Sequence, residues 1–298
     1  MTDTIDTQNA SAGREPGTVD GREPGAADGR GLRPVAEAIG LDLGTRRVAY
    51  TDREAILYAL AVGAAAEDLD LVFERDLRVL PTFGLGFGLW ACDELGARNF
   101  FSSTNALHGA QRLEVLAPFA ASGELEMSAR VLDVWDKGSA AVCDIEVACE
   151  QFRAVYSIFA PGQGGWDGER GPGARRDPEA PPTRRARVAT SRESAVLYRL
   201  LGDRHLIHVD PEAARAIGQP RPILHGLCTL GIAARSLPPL FGRRPDELIS
   251  LEARFAAAVL PGEPLELRAW EPTGDGSVPF SVATPESVVL SGGLIRFG

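Results

Sequence analysis

Histidine is scarce in this chain, four in 298 residues, and three of the four fall close together as His205, His208 and His225. Beside them stands Asp203, five residues before His208. A carboxylate and an imidazole at that spacing on a loop can converge on one point and move a proton between a water and a substrate carbon. Addition of water to a conjugated thioester also needs a donor for the carbonyl oxygen, where negative charge gathers during attack. Gly226 supplies a candidate. It opens the apolar run Gly226-Leu227-Cys228-Thr229, and the first N–H groups of a helix are unpaired and positively polarised.

Those residues need elements to hold them. Gly202 is expected to end a short helix containing Val196-Leu197-Tyr198-Arg199-Leu200, which leaves residues 203–208 as a loop. Asp210 followed by Pro211 reads as the cap and first residue of a new helix that runs to Gly218. Asp210 thus has a structural role, whereas Asp203 and His208 have none. His225 is expected to set the helix turn. His108 lacks an acidic partner and reads as structural, and Cys228 reads as core.

The chain also repeats itself. Thr51-x-x-Glu54 and Thr190-x-x-Glu193 both have the form of capping boxes, and the helices they open end at Gly63 and Gly202. Leu-His-Gly occurs at 107–109 and again at 224–226. A Pro and a Gly precede a strand-like run in each half. Three features in one order argue for an internal duplication. After the first Leu-His-Gly, Leu125, Met127, Ala129 and Val131 alternate with polar residues. Asp136-Lys137-Gly138 then turns the chain, and Ala141, Cys143, Ile145 and Val147 alternate in their turn. Residues 152–159 form a third strand. In the second half Ala253, Phe255, Ala257 and Val259 read as one face of a strand, followed by 265–270 and 278–282. Each half is α+β.

The segment from Tyr198 to Arg235 closely resembles the signature region of the type 2 enoyl-CoA hydratases, the MaoC-like dehydratases. It carries Tyr198-Arg199-Leu200, Gly202-Asp203, His208-Val209-Asp210-Pro211 and Pro222-Ile223-Leu224-His225-Gly226-Leu227-Cys228-Thr229. The resemblance extends more loosely over about residues 48–290. It implies a double hot-dog fold, in which each half wraps an antiparallel sheet around a central helix. It implies that Asp203 and His208 are the catalytic pair, and that Gly226 donates its amide to the thioester oxygen. His205, Leu224 and His225 become the expected substrate contacts. The implied reaction converts trans-2-enoyl-CoA to (3R)-3-hydroxyacyl-CoA in a homodimer, with the first half holding the acyl chain along about residues 80–90. That half has no Asp-x-x-x-x-His after Gly63, in agreement. In one place the pattern departs: the family's motif Asn is His205 here, and the following Pro is Leu206.

The expected layout is a disordered tail over 1–35, a first half over 36–160, a Gly/Pro/Arg-rich linker over 161–187 and a catalytic half over 188–298. Net charge −10 disfavours a nucleic-acid surface. No secretory signal, membrane-spanning run or CxxC pair is present, so the expectation is a cytoplasmic protein with reduced thiols and no membrane partner. No cofactor is expected, because the thioester activates its own β-carbon. A metal on Asp203, His205, His208 and His225 is disfavoured, since the motif accounts for the site without one. A hot-dog thioesterase and a non-catalytic acyl-CoA binder are the alternative readings. A contact from Arg184, Arg185 or Arg187 to phosphate is a minor possibility beside a solvated linker edge.

Overall fold

The computed structural model describes residues 31–102 and 104–298. Most of the expected tail therefore lies outside the described residues. Its end is corrected, because Val35 is already buried in a 3₁₀ turn with Ala38.

Thr51 opens the first helical segment, with Glu54 accepting from its backbone N–H at 2.8 Å. The order from the first strand is β1 (Asp42–Tyr50), α1 (Asp52–Ala61), α2 (Leu69–Val72), α3 (Gly84–Gly88), α4 (Trp90–Ala97), β2 (Leu107–Val115), β3 (Gly123–Asp136), β4 (Ala140–Ala148) and β5 (Phe152–Pro161). The second half repeats it as β6 (Arg184–Ala189), α5 (Ser194–Arg199), α6 (Pro211–Ala216), α7 (Gly226–Ser236), β7 (Leu248–Phe255), β8 (Pro264–Ala269), β9 (Val278–Ala283) and β10 (Val288–Phe297). All ten strands form one antiparallel sheet in the order β1-β3-β4-β5-β2-β7-β10-β9-β8-β6. The first half reads 1-3-4-5-2 and the second, from its own edge inward, reads the same. The β2–β7 ladder, with Leu113 opposite Leu251, is the seam. This is the double hot-dog.

α7 is the buried helix of the second half, and eight of its residues from Leu227 to Ala234 are buried. Gly231 lets it touch α1: a Cβ there would stand 2.5 Å from the Tyr58 hydroxyl. In the first half, α3 makes a similarly close approach to β5, where a Cβ on Gly88 would stand 2.2 Å from the Tyr156 hydroxyl. Tyr156 donates to the Leu85 carbonyl at 2.7 Å.

Several sequence expectations are corrected. The two Leu-His-Gly tripeptides are not equivalent, for the first begins strand β2 and the second leads into helix α7 with Gly226 as its first residue, one element earlier. The duplication is real in its topology, but that tripeptide is not a mark of it. The second capping box is absent. Thr190 donates to the Glu263 carbonyl and accepts from Gly262 N–H, both at 2.8 Å, and Glu193 itself occupies the cap position. Strand β7 ends at Phe255, so Ala257 and Val259 lie beyond it. The linker ends at Thr183, since Arg184, Arg185 and Arg187 lie in edge strand β6. There Arg184 pairs with Glu271, and Arg185 with Glu266, across the surface.

One residue anchors that linker. The Asp136 carboxylate, buried at the turn after β3, accepts from the backbone N–H groups of Gly138, Gly165, Trp166 and Gly168. These hydrogen bonds, Gly165 and Gly138 foremost, hold its pKa down to about 2. Among the described residues no helix is long and apolar enough to cross a membrane.

Candidate active site

Helix α5 stops at Arg199, and Gly202 turns the chain at φ +130°, a conformation that side chains rarely adopt. The turn delivers Asp203, whose Oδ1 accepts from His205 N–H at 3.2 Å. Leu206–His208 then form a 3₁₀ turn that leads into Asp210, which caps α6 by accepting from Glu212 N–H at 2.7 Å. The loop is pinned to the extended segment before α7, where Ile223 N–H donates to the Ile207 carbonyl at 3.1 Å.

These constraints fix the imidazoles. His208 Nδ1 lies 2.9 Å from the Ile223 carbonyl oxygen. A carbonyl only accepts, so Nδ1 carries the proton and Nε2 keeps its lone pair. His225 Nε2 lies 3.2 Å from the backbone carbonyl of Asp203. By the same reasoning its Nδ1 holds the lone pair, and that atom is buried without a partner among the described residues. Burial lowers the pKa of His208, with the nearby His205 adding to the effect, and lowers His225 to about 3. Both rings are neutral near neutral pH.

Asp203, His208 and His225 each bring one ligating atom to within 4.8 Å of the others. Three such groups could suit a metal, but the two rings stack with centroids 3.6 Å apart and planes at 23°. Stacked imidazoles send their in-plane lone pairs alongside one another instead of toward a common centre. His205 stands further off, its ring centroid 6.2 Å from that of His208, with a buried Nδ1 lacking a partner among the described residues.

Gly226 begins α7, and no acceptor is found for its N–H among the described residues. Phe255 covers it closely: a Cβ at 226 would stand 3.0 Å from that ring. Leu224, just before, is buried, and its N–H donates to the Val259 carbonyl at 2.7 Å. Leu224 therefore packs beneath the site, and its backbone N–H is already engaged.

The first half contributes groups that the sequence did not single out. Asp93 on α4 has its pKa raised, first by desolvation and then by the charge of Asp203, while Arg46 and His205 oppose the rise. Tyr198, within the motif but given no role, lies 4.8 Å from His225 and 6.0 Å from Tyr58 between ring centroids. His108 packs on Phe255 at 4.8 Å, and burial lowers its pKa to about 4, as a structural histidine requires. Cys228 is buried beside the Ala61 carbonyl.

The family model described as the MFE-2 hydratase 2 N-terminal domain matches residues 48–159, and the one described as the MaoC-like domain matches 174–281. Enoyl-CoA hydratase ChsH3 of Mycobacterium tuberculosis is 35% identical over 276 residues, 86% of this chain and 96% of that protein. The 3-hydroxyacyl-thioester dehydratase Y of the same organism is 36% identical, across 83% of this chain and 93% of its own length. The match to Peroxisomal multifunctional enzyme type 2 of Mus musculus is 36% identical over 78% of this chain but spans only 34% of that longer protein. A crystal structure of the MaoC-like dehydratase from Phytophthora capsici superposes with a TM-score of 0.80 at 26% identity, covering 90% of this chain and 98% of that one. With two relatives at 35% and 36% identity matched over 96% and 93% of their own lengths, the chain belongs to the hydratase 2, MaoC-like dehydratase family of hydro-lyases.

Proposed function

We propose that this chain catalyses the reversible hydration of trans-2-enoyl-CoA to (3R)-3-hydroxyacyl-CoA. The observation that carries the reading is the approach of Asp203 to a His208 whose Nε2 lone pair is set by the Ile223 carbonyl. In the hydration direction the pair holds one water. Its oxygen bonds to the β-carbon, one of its protons passes to the pair, and the pair returns a proton to the α-carbon. The unpaired N–H of Gly226 receives the thioester oxygen as charge builds there. No cofactor takes part, since the thioester polarises its own double bond.

The same reading gives the acyl chain to the first half, past residues 80–90, where Leu80, Phe83 and Leu85 are buried. His205 and His225 are its substrate contacts from the catalytic loop, with Leu224 packed behind them. It also expects two copies of the chain to associate, as the family resemblance implies.

The test follows absorbance of the enoyl-thioester band with crotonyl-CoA and a longer enoyl-CoA, in the wild type and in Asp203→Asn. Loss of absorbance that the variant abolishes, without free thiol, supports hydration. Release of thiol would identify a thioesterase instead. Tight binding without turnover would identify a non-catalytic binder.

A further inference from the structure

The chain has four tyrosines, and all of them are buried. A buried phenol hydroxyl has lost its bonds to water and needs another partner. Tyr50 donates to the Ala120 carbonyl at 3.1 Å, and Tyr156 to the Leu85 carbonyl at 2.7 Å. The hydroxyls of Tyr58 and Tyr198 find no well-formed hydrogen bond among the described residues. Thr82, also buried, sets a third hydroxyl near that of Tyr58. Burial raises the pKa of both phenols, so each stays protonated and able to donate.

The internal repeat makes the two tyrosines one feature. Ile56-Leu57-Tyr58 on α1 and Val196-Leu197-Tyr198 on α5 hold the same place in their halves, and their ring centroids stand 6.0 Å apart. Each hydroxyl reaches toward a glycine of the opposite half. A Cβ on Gly231 of α7 would stand 2.5 Å from the Tyr58 hydroxyl, and one on Gly86 of α3 would stand 4.0 Å from that of Tyr198. Tyr198 also lies 4.8 Å from His225, and Tyr58 lies 5.7 Å from Phe83, between ring centroids. The rings therefore run in series from the catalytic loop to the segment proposed to hold the acyl chain.

We infer that Tyr58 and Tyr198 recognise an oxygen substituent on the acyl chain, a hydroxyl or an oxo group carried beyond the β-carbon. The preferred substrates are then oxygenated acyl thioesters instead of plain alkyl ones. The inference rests on the hydratase reading for the thioester and adds the chemistry of the chain. A plain alkyl chain would pass two hydroxyls that it cannot satisfy, whereas one oxygen with two lone pairs can accept from both. A site that hydrogen-bonds a substrate oxygen discriminates against the analogue that lacks it, because its own polar groups are then left unpaired.

Calorimetry compares octanoyl-CoA with its derivatives bearing an oxo group on the fifth, sixth or seventh carbon. The proteins are the wild type, Tyr58→Phe, Tyr198→Phe and the double variant. Saturated chains cannot be hydrated, so binding is read apart from catalysis. In the wild type at least one oxo chain should bind about tenfold more tightly than octanoyl-CoA, the effect of gaining neutral hydrogen bonds. In the double variant that ratio should fall to about one or below, because the oxo group is then buried without a donor. Each variant should melt no lower than the wild type, since the hydroxyl it loses held no bond. Hydration of crotonyl-CoA and a longer enoyl-CoA is followed beside the calorimetry. An oxo preference that the double variant abolishes, with no hydration of either substrate, keeps the inference while the hydratase reading falls. Hydration with equal wild-type affinity for plain and oxo chains removes the inference and leaves the hydratase reading standing. Binding of no chain also overturns it. A preference that survives in the double variant, or variants that melt well below the wild type, would show that protein or buried water already holds these hydroxyls, and would overturn it too.

Discussion

His208 and His225 stack face to face, 3.6 Å between centroids, and each ring donates its proton to a backbone carbonyl instead of to the other ring. Two imidazoles so close cannot both hold charge, and burial already disfavours the charged form of either. His225, lowered to about 3, remains neutral through the working range, so His208 is left as the group that titrates toward the substrate. The acid limb of kcat/KM should therefore fall below the ordinary histidine value of 6.5. A pH–rate profile on crotonyl-CoA checks this, and a limb above 6.5 would contradict it.

Stability should follow the same groups. His108 and His225, lowered to about 4 and about 3, and His208, also lowered, bind protons in the unfolded chain before they do in the folded one. Stability is then full above about pH 6.5 and is lost as pH falls toward about 4. Three such protons give a slope of up to about 4 kcal/mol per pH unit. Urea unfolding at about pH 7 and about pH 5 measures it, and equal midpoints would refute it.

Replacing His205 by asparagine tests what this imidazole does to its neighbour. His205 adds to the lowering of the His208 pKa. Its removal should move the acid limb of the rate profile upward, with turnover retained. An unmoved limb would show that His205 does not act on His208 through charge.

Gly226→Ala should cost more in rate than in stability. The added methyl meets Phe255 at about 3.0 Å, beside the N–H proposed to meet the thioester oxygen. Loss of one oxyanion donor lowers kcat by about 10²–10³-fold. Overpacking costs about 1–3 kcal/mol. The companion change Phe255→Leu should recover part of both. Recovery of stability without rate would mean that the glycine serves packing alone.

Asp136→Ala removes the acceptor for four backbone N–H groups where the linker leaves the first half. Its melting temperature should fall well below that of Asp133→Ala, a change on the same strand at a carboxylate for which no such set of bonds is found among the described residues. Limited proteolysis should cut within residues 162–180 sooner. Equal melting of the two variants would remove the staple from the account.

The loop from Gly202 to Asp210 was legible because its punctuation is local. Gly202, Asp210 with Pro211, and the apolar run after Gly226 each act on their own neighbourhood, and each did in the structure what its residue type required. Helices α3 and α4 were not legible as helices. Gly84, Gly86 and Gly88 are poor helix formers, and two of them are needed for close packing, Gly84 against Phe119 and Phe152 and Gly88 against Tyr156. Edge strand β6 hid in an arginine-rich linker because its outward face is polar and its pairing is with a strand about 80 residues later. Asp93 carried no signal, since the charges that act on it, Asp203, Arg46 and His205, are all distant in sequence. Leu-His-Gly misled in the opposite way, for identical tripeptides took up different structures under different tertiary contacts.

The β2–β7 seam makes one molecule of two copies that a two-fold axis would otherwise relate. In a symmetric pair of separate chains, every substitution appears twice, and a residue that helps one side must be tolerated on the other. Covalent tandem copies escape that rule. The segment after α5 carries Asp203 and His208, whereas the segment after α1 has no Asp-x-x-x-x-His. Broken symmetry of this kind leaves the interior of one copy free to change while the loop of the other is held.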